Sequence, residues 1–280
     1  MTIKFESLAP YLDTVEARPG TMHIYKNDSI VSNVIRTYGE YCHAEIDVMN
    51  IYITEGMGYI DVGVNIGYHS LAMHKQAKCN ILGFEPHPTH FAVAAENCKD
   101  LPIQIYNAAA SDYKGKLKIT NIDLDNPENY GEVKQTSNDD TNGIEVPCVR
   151  IDDFNLGKID GMKIDVEGFE INVMRGAENT IDKNRPVILF EALDMEWLDC
   201  FEFLDRKNYT MYWLACFNTP VKDETFIPKV EGERPFNEGG VSNIIAVPKE
   251  LKQLGNLIPV RYKEKYTEAV ARIKNYVVAF

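Results

Sequence analysis

Apolar and polar positions change rhythm along this chain. Residues 1–20 show no period, whereas "TMHIYK" (21–26) alternates as a short strand does. "NDSIVSNVIRTYG" opens with capping residues and closes at Gly39, the pattern of a short helix. Ile46, Met49 and Ile53 recur at helical spacing, and "TEGMG" ends that helix. Beyond it, "YIDVG", "CNILGFE", "IQIYNAA", "GMKIDVEG" and "PVILFEA" are short apolar runs, most ending at an acid, Asn or Gly. Helical segments are expected over 66–77, 88–99 and 168–183. Apolar strands alternating with helices predict an α/β fold with a parallel sheet covered on both faces.

Ligands of such sheets sit beyond the carboxyl ends of the strands. Polar residues collect at those ends: Asp61, Glu85, Asn107, Asp165 and Glu191. The segment 117–154 breaks the rhythm and is rich in Asn, Asp and Gly, so it reads as a long loop facing the substrate. An amphipathic helix at 195–208, a strand at 209–217, a loop at 218–238, a strand at 242–248 and a helical tail over 249–280 follow. The expected organisation is an N-terminal extension or cap (1–55), a catalytic domain (56–248) and that tail.

With 280 residues, 45% hydrophobic and 25% charged, the chain has the composition of an ordinary globular protein. A formal charge of −13 speaks against a nucleic-acid groove or a polybasic membrane contact. The basic residues near the end, Arg261 to Lys274, read as a solvated helix face. Six cysteines lie far apart without a CxxC pair, as core thiols do. No apolar leader or membrane-length run is present in the sequence, so a cytoplasmic protein is expected. Self-association into a homo-oligomer stays open.

"YIDVGVNIGYHSL" (59–71) is a strand-to-helix turn in which Gly63 permits the turn and Gly67 lets the helix approach a ligand. It lacks the middle glycine of the dinucleotide fingerprint, and Asp61 would repel a pyrophosphate. A carboxylate there suits a cationic amino group, such as the methionyl part of S-adenosylmethionine. Glu85 ends the next strand, where an acid binds ribose hydroxyls. Asn107 and the following Ser111 and Asp112 are placed to meet an adenine edge. The bland alternative is that the two glycines only shape the turn.

"YIDVGVNIGYHSL", "GFEPHP", "NAAASD", "VRIDDF" and "MKIDVEGFEINVMRGA", in this order, resemble the FkbM family of S-adenosylmethionine-dependent methyltransferases over roughly residues 40–248. The resemblance implies a class I methyltransferase (Rossmann-like) fold, with a seven-stranded, mostly parallel sheet and an antiparallel last strand. It implies O-methylation of a hydroxyl on a sugar, glycan or glycosylated acceptor. Asp61, Gly63, Asn65 and Gly67 would line the methionyl and ribose part, Glu85 the ribose, and Asn107, Ser111 and Asp112 the adenine. Methylation of a non-sugar small molecule and a non-catalytic cofactor-binding module are the competing readings.

An alcohol acceptor must lose its proton, to a base or after coordination to a metal. "KIDVEG" offers Asp165 as the residue facing the methyl and Glu167 as a second choice. Asp165 and Glu191 could together hold Mg²⁺ through oxygen ligands. His69 is a further candidate base, although a lone His there more often makes a structural hydrogen bond. His87 is expected to shape the turn between its prolines. Tyr130, Trp197 and Trp213 could stack on a sugar, with core packing favoured for the tryptophans.

Overall fold

The computed structural model describes residues 3–192, 197–216 and 241–261. The N-terminal segment carries a 3₁₀ turn, then a hairpin of β1 (Leu12–Ala17) and β2 (Gly20–Tyr25), then helices α1 (Val31–Tyr38) and α2 (His43–Met49). Strand β1 was not legible in the sequence, where 1–20 has no alternation. Asp28 caps α1, its carboxylate accepting the amides of Ile30 (3.1 Å) and Ser32 (2.7 Å), and Gly39 ends it at φ 86°.

The main body follows as β3 (Gly58–Val62), α3 (Tyr68–Ala77), β4 (Asn80–Phe84), α4 (Pro88–Asn97) and β5 (Ile103–Tyr106). Next come β6 (Ala109–Ala110), β7 (Gly115–Ile119), β8 (Ile144–Val149) and β9 (Gly161–Ile164). Helices α5 (Glu170–Gly176) and α6 (Glu178–Asn184), β10 (Val187–Glu191), α7 (Trp197–Arg206), β11 (Tyr209–Cys216), β12 (Val241–Pro248) and β13 (Ile258–Pro259) complete it.

The large sheet has the order β13-β11-β12-β10-β9-β3-β4-β5. β3, β4, β5, β9 and β10 run parallel, and β12 is antiparallel to both β10 and β11. This is the class I methyltransferase sheet expected from the sequence, with one addition: the two-residue β13 makes an eighth strand on the edge of β11. That strand occupies the start of the region read as a helical tail; residues 262–280 lie outside the described residues, as do 217–240.

Continuous apolar strands are explained by a core on each face. Tyr59, Leu189, Tyr212 and Ile245 point to the layer that holds α2 and α3. Their neighbours Ile60, Ile188, Trp213 and Ile244 point to the layer of α5, α6 and α7. Period-two alternation thus buries every position. Trp197 and Trp213 pack edge to face at 5.3 Å in the second core, 1% and 2% exposed, so neither can stack on a ligand.

Two expectations need correction. The 168–183 helix is split at Ala177, which leaves the helical region at φ -114° and ψ 14°, next to Gly176, where a Cβ would stand 1.8 Å from the Ser111 carbonyl oxygen. The segment 117–154 is a loop only in its middle. Leu117 pairs with Val146 across a β7–β8 antiparallel ladder, and β6 joins β8 to make a small separate sheet.

Candidate functional site

Parallel register builds the site. Phe84 pairs with Val62, Val62 with Ile164, and Ile164 with Phe190, so four strands end in one row. Glu85, Gly63, Asp165 and Glu191 are the residues one step beyond that row. The strand order reverses between β3 and β9, and in such sheets the crevice opens at that point.

Two open cavities flank it, spanning about 720 Å³ and 890 Å³ with the solvent at their mouths included. The first is mostly apolar, walled by Phe84, Pro86, Leu117, Ile119 and Val133, with Glu85 at one side. The second is more polar than the first, with Tyr41, Glu45, His69, Asn129, Lys163 and Glu191 beside apolar Ile30, Val31, Val64 and Ile66. Gly63, Asn65, Gly131, Asp165 and Glu167 border both.

Gly63 has φ 85°, and a Cβ would lie 1.9 Å from the Asp165 carbonyl oxygen, so only glycine fits where β3 passes β9. Asn65 also takes a left-handed conformation, φ 52°, with its amide donating to Glu85 Oε2 at 2.7 Å. Glu85 Oε1 accepts the His87 amide at 2.9 Å. Burial outweighs these two donors and pushes the Glu85 carboxyl up to about 8. His87 caps α4 through Nδ1, accepting the Thr89 amide at 3.3 Å, as its place between prolines suggested.

Several expected ligand contacts are braces instead. Asp61 is fully buried and lines neither cavity; Oδ2 accepts the Ser70 hydroxyl at 2.6 Å and Oδ1 stands 3.9 Å from Lys163 Nζ. Gly67 also lines neither: at φ 92° its missing Cβ would meet Cys98 Sγ at 3.2 Å, so it serves helix packing rather than ligand approach. Asn107 donates its amide to the carbonyls of Glu85 (2.9 Å) and Pro86 (3.0 Å), holding the turn behind the cavity. Ser111 is buried against Asp112, and Asp112 accepts from Asn172. The "NAAASD" segment reaches the first cavity through Ala109 and Ala110 instead.

His69 lines the second cavity, but both ring nitrogens are engaged, Nε2 with the Tyr59 hydroxyl at 2.8 Å and Nδ1 with Glu45 Oε2 at 3.4 Å. It is held as a structural residue. Tyr130 is 1% exposed, with its hydroxyl donating to the carbonyls of Asp123 and Asn126, so it packs under the loop and cannot stack on a sugar.

The segment after β9 presents the acids. Glu170 Oε1 accepts the amides of Val166 and Gly168, each at 3.2 Å, and so shapes the loop. Glu167 sits in the left-handed region at φ 54°, followed by Gly168 at φ 95°, and lines both cavities. Burial and the neighbouring Asp165 raise the Glu167 carboxyl to about 7. Burial, then the negative charges of Asp165, Glu167 and Glu170, push Glu191 up to about 10. Its Oε2 is buried with no hydrogen-bond partner among the described residues.

Lys163, 6% exposed, stands 3.0 Å from Asp165 Oδ2. Burial opposes its charge, but Asp165, Asp61 and Glu45 together hold the ammonium protonated well above the ordinary lysine range. This cation already engages Asp165 Oδ2. Among the described residues no group of three or more His, Cys, Asp and Glu is arranged to hold a metal. The expected Asp165–Glu191 metal pair therefore lacks a built site. Lys163 and Glu45 escaped the sequence reading; the one signal was a charged residue inside the apolar run "GMKI".

The pattern of the methyltransferase FkbM domain matches residues 61–211, more than half of the chain. The protein belongs to the FkbM methyltransferase family. Family membership carries methyl transfer and S-adenosylmethionine as its donor. A relative from Beauveria bassiana, "Methyltransferase 1", is 26% identical over half of this chain and 68% of its own length. The solved FkbM methyltransferase of Methylobacillus flagellatus is 13% identical, with TM-score 0.46 over 72% of this chain; the match spans only half of that protein. An S-adenosylmethionine-dependent O-methyltransferase from Thermotoga maritima is 10% identical, with TM-score 0.46 over 86% of this chain and 79% of its own.

The donor's shape can be tested against the first cavity. Its apolar walls suit an adenine face, and Glu85 leaves lone pairs on both oxygens for ribose hydroxyls. Gly63 brings the β3 backbone against the Asp165 carbonyl at the border of both cavities. The residues fit the cofactor. Among the described residues, Cys79, Cys98, Cys148 and Cys200 are free and buried, as core thiols are, and Cys42 is buried as well. Among the described residues no helix is long and apolar enough to cross a membrane.

Proposed function

We propose that this FkbM methyltransferase methylates a hydroxyl of a sugar, glycan or glycosylated acceptor. The observation that carries the reading is the shared border of the two cavities. Gly63, Asn65, Gly131, Asp165 and Glu167 wall both, so a donor in the apolar cavity and an acceptor in the polar one would meet there. Glu85 and Asn65 would hold the ribose side of S-adenosylmethionine, which when bound supplies an electrophilic methyl on a sulfonium. The protein's part is then alignment and proton removal.

Asp165 is the residue for the second task. Its side chain is 44% exposed at the junction, and Lys163 holds it from behind at 3.0 Å. Glu167, on the same loop, is the alternative proton acceptor. Hydrogen-bonding groups on several walls of the second cavity support a polyhydroxylated acceptor. The segment 1–55 acts as a cap over that cavity, since Ile30, Val31, Tyr41, Cys42 and Glu45 line it. The charge of −13 and the buried free thiols support a small-molecule acceptor handled in the cytoplasm.

The test is a transfer assay with ¹³C-methyl donor and a panel of neutral sugars, amino sugars, uronic acids and simple alcohols. A new methyl carbon on an ether oxygen of a sugar supports the reading. Label on nitrogen or carbon, or label only on non-sugar alcohols, contradicts it.

A further inference from the structure

Among the described residues, the border between the cavities gathers more acidic side chains than basic ones to pair with them. Lys163 is occupied by Asp165 and, at 3.9 Å, by Asp61. Lys134 reaches Glu167 only at 3.9 Å and is paired with Glu132. Among the described residues, Glu191 Oε2 is buried beside the second cavity with no hydrogen-bond partner. Glu167 lines both cavities on a left-handed backbone that Glu170 braces, so its placement is built into the loop. Burial and mutual repulsion already hold both carboxyls above their ordinary range, which a cation at the junction would relieve.

The donor and the product of methyl transfer differ in this respect. S-adenosylmethionine bears a positive sulfonium; S-adenosylhomocysteine has a neutral thioether of nearly the same shape. We propose that Glu167 and Glu191 are the counter-charge for the sulfonium, so that the site retains the methyl donor and lets go of the spent cofactor. This rests on the reading that the apolar cavity holds the cofactor. Specificity arises because contacts to adenine and ribose are common to both molecules, whereas the charge is not.

Calorimetry with each cofactor form, at pH 8, tests the idea without any acceptor. The unaltered protein is expected to bind S-adenosylmethionine at least tenfold more tightly than S-adenosylhomocysteine. Glu167→Gln should lose at least fivefold, and Glu191→Gln at least threefold, in affinity for S-adenosylmethionine. Affinity for S-adenosylhomocysteine should stay within twofold, which also reports that each variant is folded. Should one variant fail to fold, the other still decides. An unchanged preference in the folded variants, or equal losses for both ligands, overturns the proposal. If the unaltered protein binds neither molecule, the cofactor reading itself fails, and this inference with it.

Discussion

Lys163 Nζ lies 3.0 Å from Asp165 Oδ2 and 3.9 Å from Asp61 Oδ1, so one buried ammonium links the carboxylates that end and follow two adjacent strands. Asp61 is fully buried, whereas Asp165 is half-exposed at the cavity border. The same cation therefore neutralises a core charge and holds a reactive one.

Lys163→Met removes that cation and leaves Asp61 with only the Ser70 hydroxyl. The expected cost is about 3 kcal/mol of stability, attributed to Asp61 because water screens Asp165. Urea denaturation of the variant checks it. A loss below about 1 kcal/mol would show that the fold does not depend on the Lys163–Asp61 pair.

Gly63→Ala meets two obstacles, a φ of 85° and a carbonyl oxygen 1.9 Å from the new Cβ. Separation of β3 from β9 at the site should follow, with at least about 2 kcal/mol lost. Affinity for S-adenosylmethionine should fall at least tenfold, as measured by calorimetry. Gly20→Ala, at φ 133° with nothing within 4 Å of its Cβ, is the control and should leave that affinity unchanged.

Glu85→Gln keeps the size of the side chain but replaces an oxygen that accepts the Asn65 or His87 amide with a donor. It should weaken binding of S-adenosylmethionine by tenfold or more. It should also flatten the gain in affinity that the unaltered protein shows as pH rises through about 8, where Glu85 ionises. Equal affinities for variant and parent would remove Glu85 from the ribose contact.

The buried acids also set a pH profile of stability. Glu85, Glu167, Glu170 and Glu191 are raised to about 8, 7, 7 and 10 by burial and neighbouring carboxylates. The folded chain then binds more protons than the unfolded one from their ordinary pKa near 4.5 up to those values, so each group's contribution is lost as pH rises through that window. His87 and His90 act the other way. Burial lowers them to about 3 and 4, so stability rises with pH until the unfolded histidines lose their protons near 6.5. Above that point the acids act, joined near pH 9 by the buried thiols that burial also raises, and unfolding free energy without ligand should fall from pH 7 to pH 9. Denaturant titrations at both values decide; a rise would contradict the assignment.

What the sequence displayed was what repeats along it. Apolar runs such as "PVILF" marked the strands, and the acids following them, Glu85, Asp165 and Glu191, came into one row because parallel register aligns strand ends. What stayed hidden depends on contacts between distant segments. Asn107 faces the Glu85 and Pro86 carbonyls rather than a ligand, and Gly67 faces Cys98; neither choice is written in the local pattern. Polar loop residues disguised the β7–β8 ladder, whose alternation is short and interrupted by Pro147. Lys163 drew no reading from the sequence, and only the fold places it between two carboxylates.

The central claim is that Asp165 takes the acceptor's proton at the border of a donor cavity and an acceptor cavity. Asp165→Asn tests it most directly, with cofactor affinity and methyl transfer measured on one preparation. Retention of S-adenosylmethionine binding within threefold, with transfer to the best acceptor of the panel reduced at least a hundredfold, is the expected result. Transfer at the parental rate would contradict the account.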